Sequence, residues 1–230
     1  MEKIFVMGGG GFAMEPENLL LDKYILSLAE KKTPSICFLG TASGDSESYR
    51  ERFYNSYRTL DCQPTHYSVF KPTTRDLIGF FSSQDIIHVG GGNTKNLLCL
   101  WREWGIDKAL VAAYKNGTVL TGMSAGMICW FEQGVTDSYG DGLEPLNCLG
   151  LLEGSACPHF DGEADRKPSY LKLIKEKKIR GGIALDDGVG ALYINGKPTD
   201  YVSSRPSAKA YGYESETANE QVLRPTFLGK

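Results

Sequence analysis

The sequence predicts an α/β fold, a three-layer sandwich in which helices cover both faces of a largely parallel central sheet. Three observations lead there: short apolar runs recur along the chain, stretches of helix-like apolar spacing separate them, and the runs end in glycine or small polar residues. With 230 residues, 41% of them hydrophobic, the chain can bury a sizeable core, and residues 1–230 read as one domain.

Residues 4–7 open the chain as a strand that stops at Gly8 to Gly11, and 17–31 follow with helical spacing. A second strand at 35–39 runs into Gly40-Thr41-Ala42-Ser43-Gly44 before a helix over 48–60. The strand at 65–70 is weaker. Residues 86–89 form a strand ending in Gly90-Gly91-Gly92-Asn93-Thr94, and helices follow over 93–104 and 106–114. The strand at 118–121 enters Gly122-Met123-Ser124-Ala125-Gly126, after which the apolar residues 127–131 read as the start of a buried helix.

Beyond this point the texture changes, for 134–150 is rich in Gly, Asp and Asn, and 167–178 is a basic helical stretch with a solvated face. Residues 183–185 give another buried strand, ending in Asp186-Asp187-Gly188. Residues 189–194 and the turn Asn195-Gly196 read as a hairpin, since Asn-Gly readily takes positive φ. From Ser203 the chain reads as edge strands and loops. In an open parallel sheet the loops at the carboxyl ends of strands gather along one edge, so the four small-residue loops predict one crevice.

Charge and cysteine usage remove several function classes. Twenty-five basic and 28 acidic residues give a net charge of -3, with no basic run dense enough to follow a phosphate backbone, so no nucleic-acid partner is expected. Six cysteines without C-x-x-C spacing read as reduced and mostly buried, and neither they nor the histidines have zinc-ligand spacing. Nothing reaches the ~18 uninterrupted apolar residues of a membrane span. The first residues enter a strand directly, without a secretory pattern, which leads to the expectation of a cytoplasmic protein.

The chemistry centres on G-x-S-x-G at 122–126. A strand that delivers a serine into a tight turn before a helix is a nucleophile elbow, with Ser124 as its nucleophile. The serine needs a base, and His66, His88 and His159 are the histidines available. His88 lies inside an apolar strand and reads as a core residue; His66 sits in the weak strand, away from the glycine loops. His159, in Cys157-Pro158-His159-Phe160-Asp161-Gly162, lies in a short turn-bounded segment after the elbow and is the candidate base.

For the acid that orients the imidazole, Asp187 is preferred because it ends a strand on the crevice side, with Asp137 as the alternative. Asp186 should point the other way by strand alternation. The Ala125 N–H and a glycine of the Gly91-Gly92-Asn93 loop are candidate oxyanion donors. A phosphate-cradle reading of the glycine loops fails, since neither completes G-x-x-x-x-G-K-[ST] or G-x-G-x-x-G/A. No metal and no organic cofactor is expected.

With Gly-Gly-Gly-Asn-Thr at 90–94, Gly-Met-Ser-Ala-Gly at 122–126, Pro-His-Phe at 158–160 and Leu-Asp-Asp-Gly at 185–188, the chain resembles the peptidase E and cyanophycinase family of serine peptidases. The order and spacing agree from the first strand to about residue 194. The resemblance implies a flavodoxin-like fold related to class I glutamine amidotransferases, with serine in place of their elbow cysteine, and cleavage of short peptides next to aspartate. It matches Ser124 to the nucleophile and His159 to the base. Asp187 lies where cyanophycinases have a glutamate as the triad acid, whereas Asp137 is near the aspartate given that role in peptidase E, so both stay in play. An aspartyl substrate also needs a cation for its carboxylate, for which Arg166 and Arg205 are candidates. A small peptide is the expected partner and a homodimer the expected assembly. The competing reading is a non-catalytic protein of the same fold that holds a small metabolite in the crevice.

Overall fold

The recurring apolar runs pair side by side in the computed structural model, which describes residues 1–215 and 217–229. β1 (Lys3–Met7) leads to the short α1 (Gly11–Met14) and α2 (Leu20–Ser27), then β2 (Ser35–Leu39), α3 (Glu47–Tyr57), β3 (Gln63–Tyr67), α4 (Leu77–Ser82), β4 (Ile86–Val89), α5 (Thr94–Trp104), α6 (Ile106–Lys115), β5 (Val119–Met123) and α7 (Ala125–Ile128). The second half holds β6 (Phe131–Thr136), β7 (Glu144–Asn147), β8 (Leu152–Cys157), α8 (Arg166–Lys175), β9 (Gly182–Leu185), β10 (Val189–Ile194), β11 (Lys197–Ser203), β12 (Ala210–Tyr213), β13 (Glu220–Leu223) and β14 (Thr226–Phe227).

Eight strands form the main sheet in the order β14-β11-β10-β1-β5-β4-β2-β3. The five strands from β1 to β3 are mutually parallel, and β10 joins β1 antiparallel. Side chains alternate across this sheet and divide its core in two. Ile4, Val6, Cys37, Leu39, Ile87 and Val89 face one layer, with Trp101 and Leu110. Phe5, Met7, Ile36, Phe38 and Ile86 face the other, with Phe12, Phe53 and Tyr57. Burying each such side chain contributes roughly 1.5–3 kcal/mol before entropy is counted. The same alternation puts His88 beside Phe12 and Phe38, at ring-centroid distances of 5.6 and 6.2 Å. Burial there pushes its basicity down to about 3, so it is a neutral core residue, as the apolar strand around it predicts.

The departure from expectation is a second sheet of six strands, β13-β12-β9-β8-β6-β7. Residues 127–131 do not continue a helix: α7 ends at Ile128, and Phe131 opens β6. An apolar run of that length fits helix and strand equally, and what decides is tertiary. Gly134 of β6 has the Ile128 side chain where a Cβ would stand, which lets the strand lie directly against the elbow helix. The Gly-rich stretch then pairs as β6 with β7, and β6 with β8. Asn195 and Gly196 do turn at φ 50 and 78° between β10 and β11. Cys37, Cys129 and Cys157 are buried, Cys62 and Cys148 half-buried and Cys99 exposed, all as free thiols.

One buried charge bears on stability. Asp22 lies beneath Gly11 and accepts the Tyr57 hydroxyl at 2.9 Å, while burial raises its carboxyl from 3.8 to about 6. A native carboxyl that holds its proton more tightly than the unfolded chain adds stability below pH 4, and that contribution is lost as pH rises toward and through 6. Relative to wild type, Asp22→Asn is therefore expected to gain about 2–3 kcal/mol of unfolding free energy between pH 4 and pH 7. Urea unfolding at the two pH values measures it; a pH-independent difference refutes it.

Candidate active site

The elbow has the backbone its sequence requires. Ser124 sits between β5 and α7 at φ 56, ψ -113°, a region that ordinary residues avoid. Its N–H donates to Met7 O at 3.2 Å, and its carbonyl accepts from Met127 and Ile128 N–H at 2.9 Å each. A Cβ at Gly122 would run into the Gly126 backbone, and one at Gly126 into the Val89 carbonyl. Both glycines of G-x-S-x-G are thus demanded by close backbone approach. Because a β4 carbonyl cannot rotate away, Gly126→Ala should lower Tm by roughly 3–10 °C. A differential scanning measurement showing an unchanged Tm would contradict this packing.

The other half of the site arises where the chain passes between sheets. β8 and β9 pair in parallel, Cys157 opposite Ala184, so His159 and the residues after Leu185 emerge at the same end. From β9 the chain crosses through Asp186-Asp187-Gly188 into β10, whose Gly190 pairs with Met7 at the end of β1. Gly188 N–H donates to Gly9 O at 3.0 Å, which brings the first glycine loop against this crossover. The Cβ position of Gly9 lies against Asp187 Oδ1 and 3.0 Å from His159 Nδ1, so only glycine leaves room for that pair.

His159 Nδ1 and Asp187 Oδ1 are 2.7 Å apart, with side-chain exposures of 14% and 10%. A carboxylate can only accept, so Nδ1 carries the proton and Nε2 is left as the basic nitrogen. Asp187 is held in turn by its own N–H, which donates to Asp161 Oδ1 at 2.7 Å. Asp186 points elsewhere: its Oδ2 accepts the Lys209 N–H at 2.8 Å, and burial pushes its carboxyl up to about 6. Asp137 is not part of this group; it is exposed in the turn after β6, where its carbonyl accepts the Gly140 N–H.

Ser124 approaches this pair from β5, next to β1, whose Met7 carbonyl holds it and whose continuation, Gly9, stands against the imidazole. Its hydroxyl makes no hydrogen bond among the described residues. The third loop lies on its other side, the Cβ position of Gly91 being 3.3 Å from Ser124 Cβ.

That loop corrects two expectations. The Gly91 N–H is already bonded, to the Tyr49 hydroxyl at 3.1 Å. The Asn93 side chain caps α5, accepting Asn96 N–H at 2.8 Å and donating to Ser138 O at 3.0 Å, so it does not face the cleft as a donor. The N–H groups of Gly92 and Ala125 carry no such side-chain or loop bond among the described residues. Of the two arginines, Arg166 is buried and bonded to Glu163 and the Val135 carbonyl. Arg205 is half-exposed beside Gly188, its Nε on Glu15 Oε1 at 2.6 Å.

Tyr49, Asp161 and Glu15 hold the site without any motif that marks them. Asp161 alone had a local sign, standing two residues after His159 in a turn, where aspartate commonly takes a backbone N–H.

Comparison with known proteins gives the family. The family model described as Peptidase family S51 matches residues 4–202. The chain is 56% identical over 211 residues to the uncharacterized peptidase YgaJ of Bacillus subtilis (strain 168), covering 92% of this chain and 91% of that protein. Among solved structures, a peptidase from an acI-B1 Actinobacterium superposes with a TM-score of 0.70 at 17% identity, over 98% of this chain and 95% of that one. A protein of Listeria monocytogenes EGD-e assigned as a peptidase E gives 0.62 at 16% identity, over 98% of this chain and all of that one. These two likenesses concern the fold. On the family match and the curated relative, the chain belongs to peptidase family S51, the peptidase E family, and is a serine-type peptidase.

Proposed function

We propose that Ser124, His159 and Asp187 form a catalytic triad that hydrolyses short peptides at an aspartyl residue. The observation that carries this reading is the His159–Asp187 hydrogen bond of 2.7 Å at the strand end where the elbow presents Ser124. In the reaction His159 Nε2 takes the Ser124 proton as Oγ attacks the scissile carbonyl, and the imidazolium formed is stabilised by Asp187. The N–H groups of Ala125 and Gly92 receive the oxyanion. The imidazolium then protonates the leaving amine, and water activated by the same nitrogen resolves the acyl-enzyme.

The preference for aspartate rests on the family resemblance together with Arg205, whose guanidinium uses Nε toward Glu15 and whose terminal nitrogens make no hydrogen bond among the described residues, leaving them for a substrate carboxylate. The free thiols fit a reducing compartment such as the cytoplasm.

Treatment with a fluorophosphonate probe, followed by peptide mapping, tests the reading against a non-catalytic binder. Covalent labelling at Ser124 is expected, together with turnover of Asp-containing dipeptides in a dipeptide library. An unlabelled Ser124 in folded protein would reject the triad; labelling with turnover confined to other dipeptides would reject only the aspartyl preference.

A further inference from the structure

Four successive N–H groups in the third glycine loop have unequal fates. Gly90 N–H donates to Leu39 O at 3.0 Å, Gly91 N–H to the Tyr49 hydroxyl at 3.1 Å, and Asn93 N–H to Ala42 O at 2.8 Å. Only Gly92 N–H is without a partner among the described residues. Gly92 also lies at φ 137°, and a Cβ there would overlap the Ala42–Ser43 backbone, so only glycine fits this position. The loop is pinned on both sides of one free donor, and Tyr49 provides the one pin that is a side chain.

Tyr49 is itself immobilised. It is 6% exposed in the first turns of α3, its ring 5.1 Å from Phe38 and 5.7 Å from Phe12, with the Arg52 guanidinium 5.0 Å over its face. Arg52 in turn donates to Ala13 O at 2.9 Å. Through Phe12 and Arg52 the tyrosine is coupled to the segment that follows the Gly8 to Gly11 loop, and through its hydroxyl to the loop beside Ser124.

Resting on the triad reading above, we infer that Tyr49 is a positioning residue for the oxyanion site. By accepting the Gly91 N–H it fixes the Gly90–Gly91 peptide plane, one peptide before the Gly92 N–H, so that the held loop aims the Gly92 N–H where the transition-state oxygen forms. Its hydroxyl touches neither substrate nor reacting atoms. A donor aimed in advance costs no reorganisation during the reaction, whereas a glycine loop freed to rotate loses that advantage.

Tyr49→Phe keeps the ring packing and removes the hydroxyl. Loss of a complete oxyanion donor costs about 10²–10³ in kcat, so loss of its alignment is expected to lower kcat by roughly 10- to 100-fold, with KM within about twofold. Affinity for a peptide aldehyde, whose adduct with Ser124 places an oxygen in the oxyanion site, should fall by the same factor, while affinity for the product peptide stays unchanged. A purely structural role would weaken both ligands or neither, and that result overturns the inference. Amide hydrogen exchange in the wild-type protein provides a second test that does not depend on the variant folding: Gly91 N–H should be protected and Gly92 N–H exposed, and the reverse order overturns it. Fluorophosphonate labelling separates the two levels. A wild type that is unlabelled at Ser124 defeats the triad and this inference together, whereas wild type and Tyr49→Phe labelled at equal rates defeat only the role of Tyr49.

Discussion

Replacing Ser124 by alanine is expected to reduce kcat/KM on Asp-containing dipeptides by at least about 10⁴-fold, because removal of the nucleophile leaves only binding and the oxyanion donors. Stability should hardly change. The hydroxyl makes no hydrogen bond among the described residues, and what keeps the turn in place is backbone: Ser124 N–H on Met7 O and Ser124 O on Met127 and Ile128 N–H. Alanine retains all three contacts and the same strain at φ 56°. Steady-state kinetics together with a thermal melt check the pair of expectations. Turnover within tenfold of wild type, in protein free of contaminating peptidase, would transfer the chemistry away from the elbow.

Asp187→Asn should cost about 10³–10⁴ in kcat while Asp137→Asn stays within about twofold, since the wrong imidazole tautomer disables a general base even when geometry is kept. An asparagine at 187 can offer its amide N–H to Nδ1, which drives the proton to Nε2 and leaves no lone pair to receive the Ser124 proton. The Asp187 N–H bond to Asp161 involves backbone and survives the change, so the crossover should keep its shape. Asp137 is exposed in the turn after β6, and its side chain makes no hydrogen bond to His159 among the described residues. Kinetics of the two variants, with Tm as a control, decides between them, and the opposite ranking would make Asp137 the acid.

The parallel half of the molecule was legible because its pattern is local. Each of β1, β2, β4 and β5 is a short apolar run whose end is punctuated by glycine, and the helices between them show their buried faces at helical spacing. The second sheet was not legible, since β6, β7 and β8 are held by partners and by Ile128 packing on Gly134, none of which leaves a periodic trace in residues 134–150. The helix expected to start in 127–131 is there but stops at Ile128, because Phe131 is drawn into β6, where it pairs with Leu152 of β8.

At the site the division is similar. Sequence alone marked Ser124 by its paired glycines, singled out His159 from three histidines, and left Asp187 and Asp137 as rival acids. It also proposed the Gly91–Gly92–Asn93 loop as a source of donors without saying which N–H is free. Tertiary structure adds the contacts on which the proposed roles rest, bringing Asp187 to His159 at 2.7 Å through the passage from β9 to β10, binding Gly91 to Tyr49 and turning Asn93 into a helix cap. The physical reason is range. A strained elbow is encoded within five residues by steric necessity, whereas a carboxylate, a hydroxyl and a peptide plane acquire their roles from neighbours 28 or 42 positions away, which only the folded backbone brings within hydrogen-bond distance.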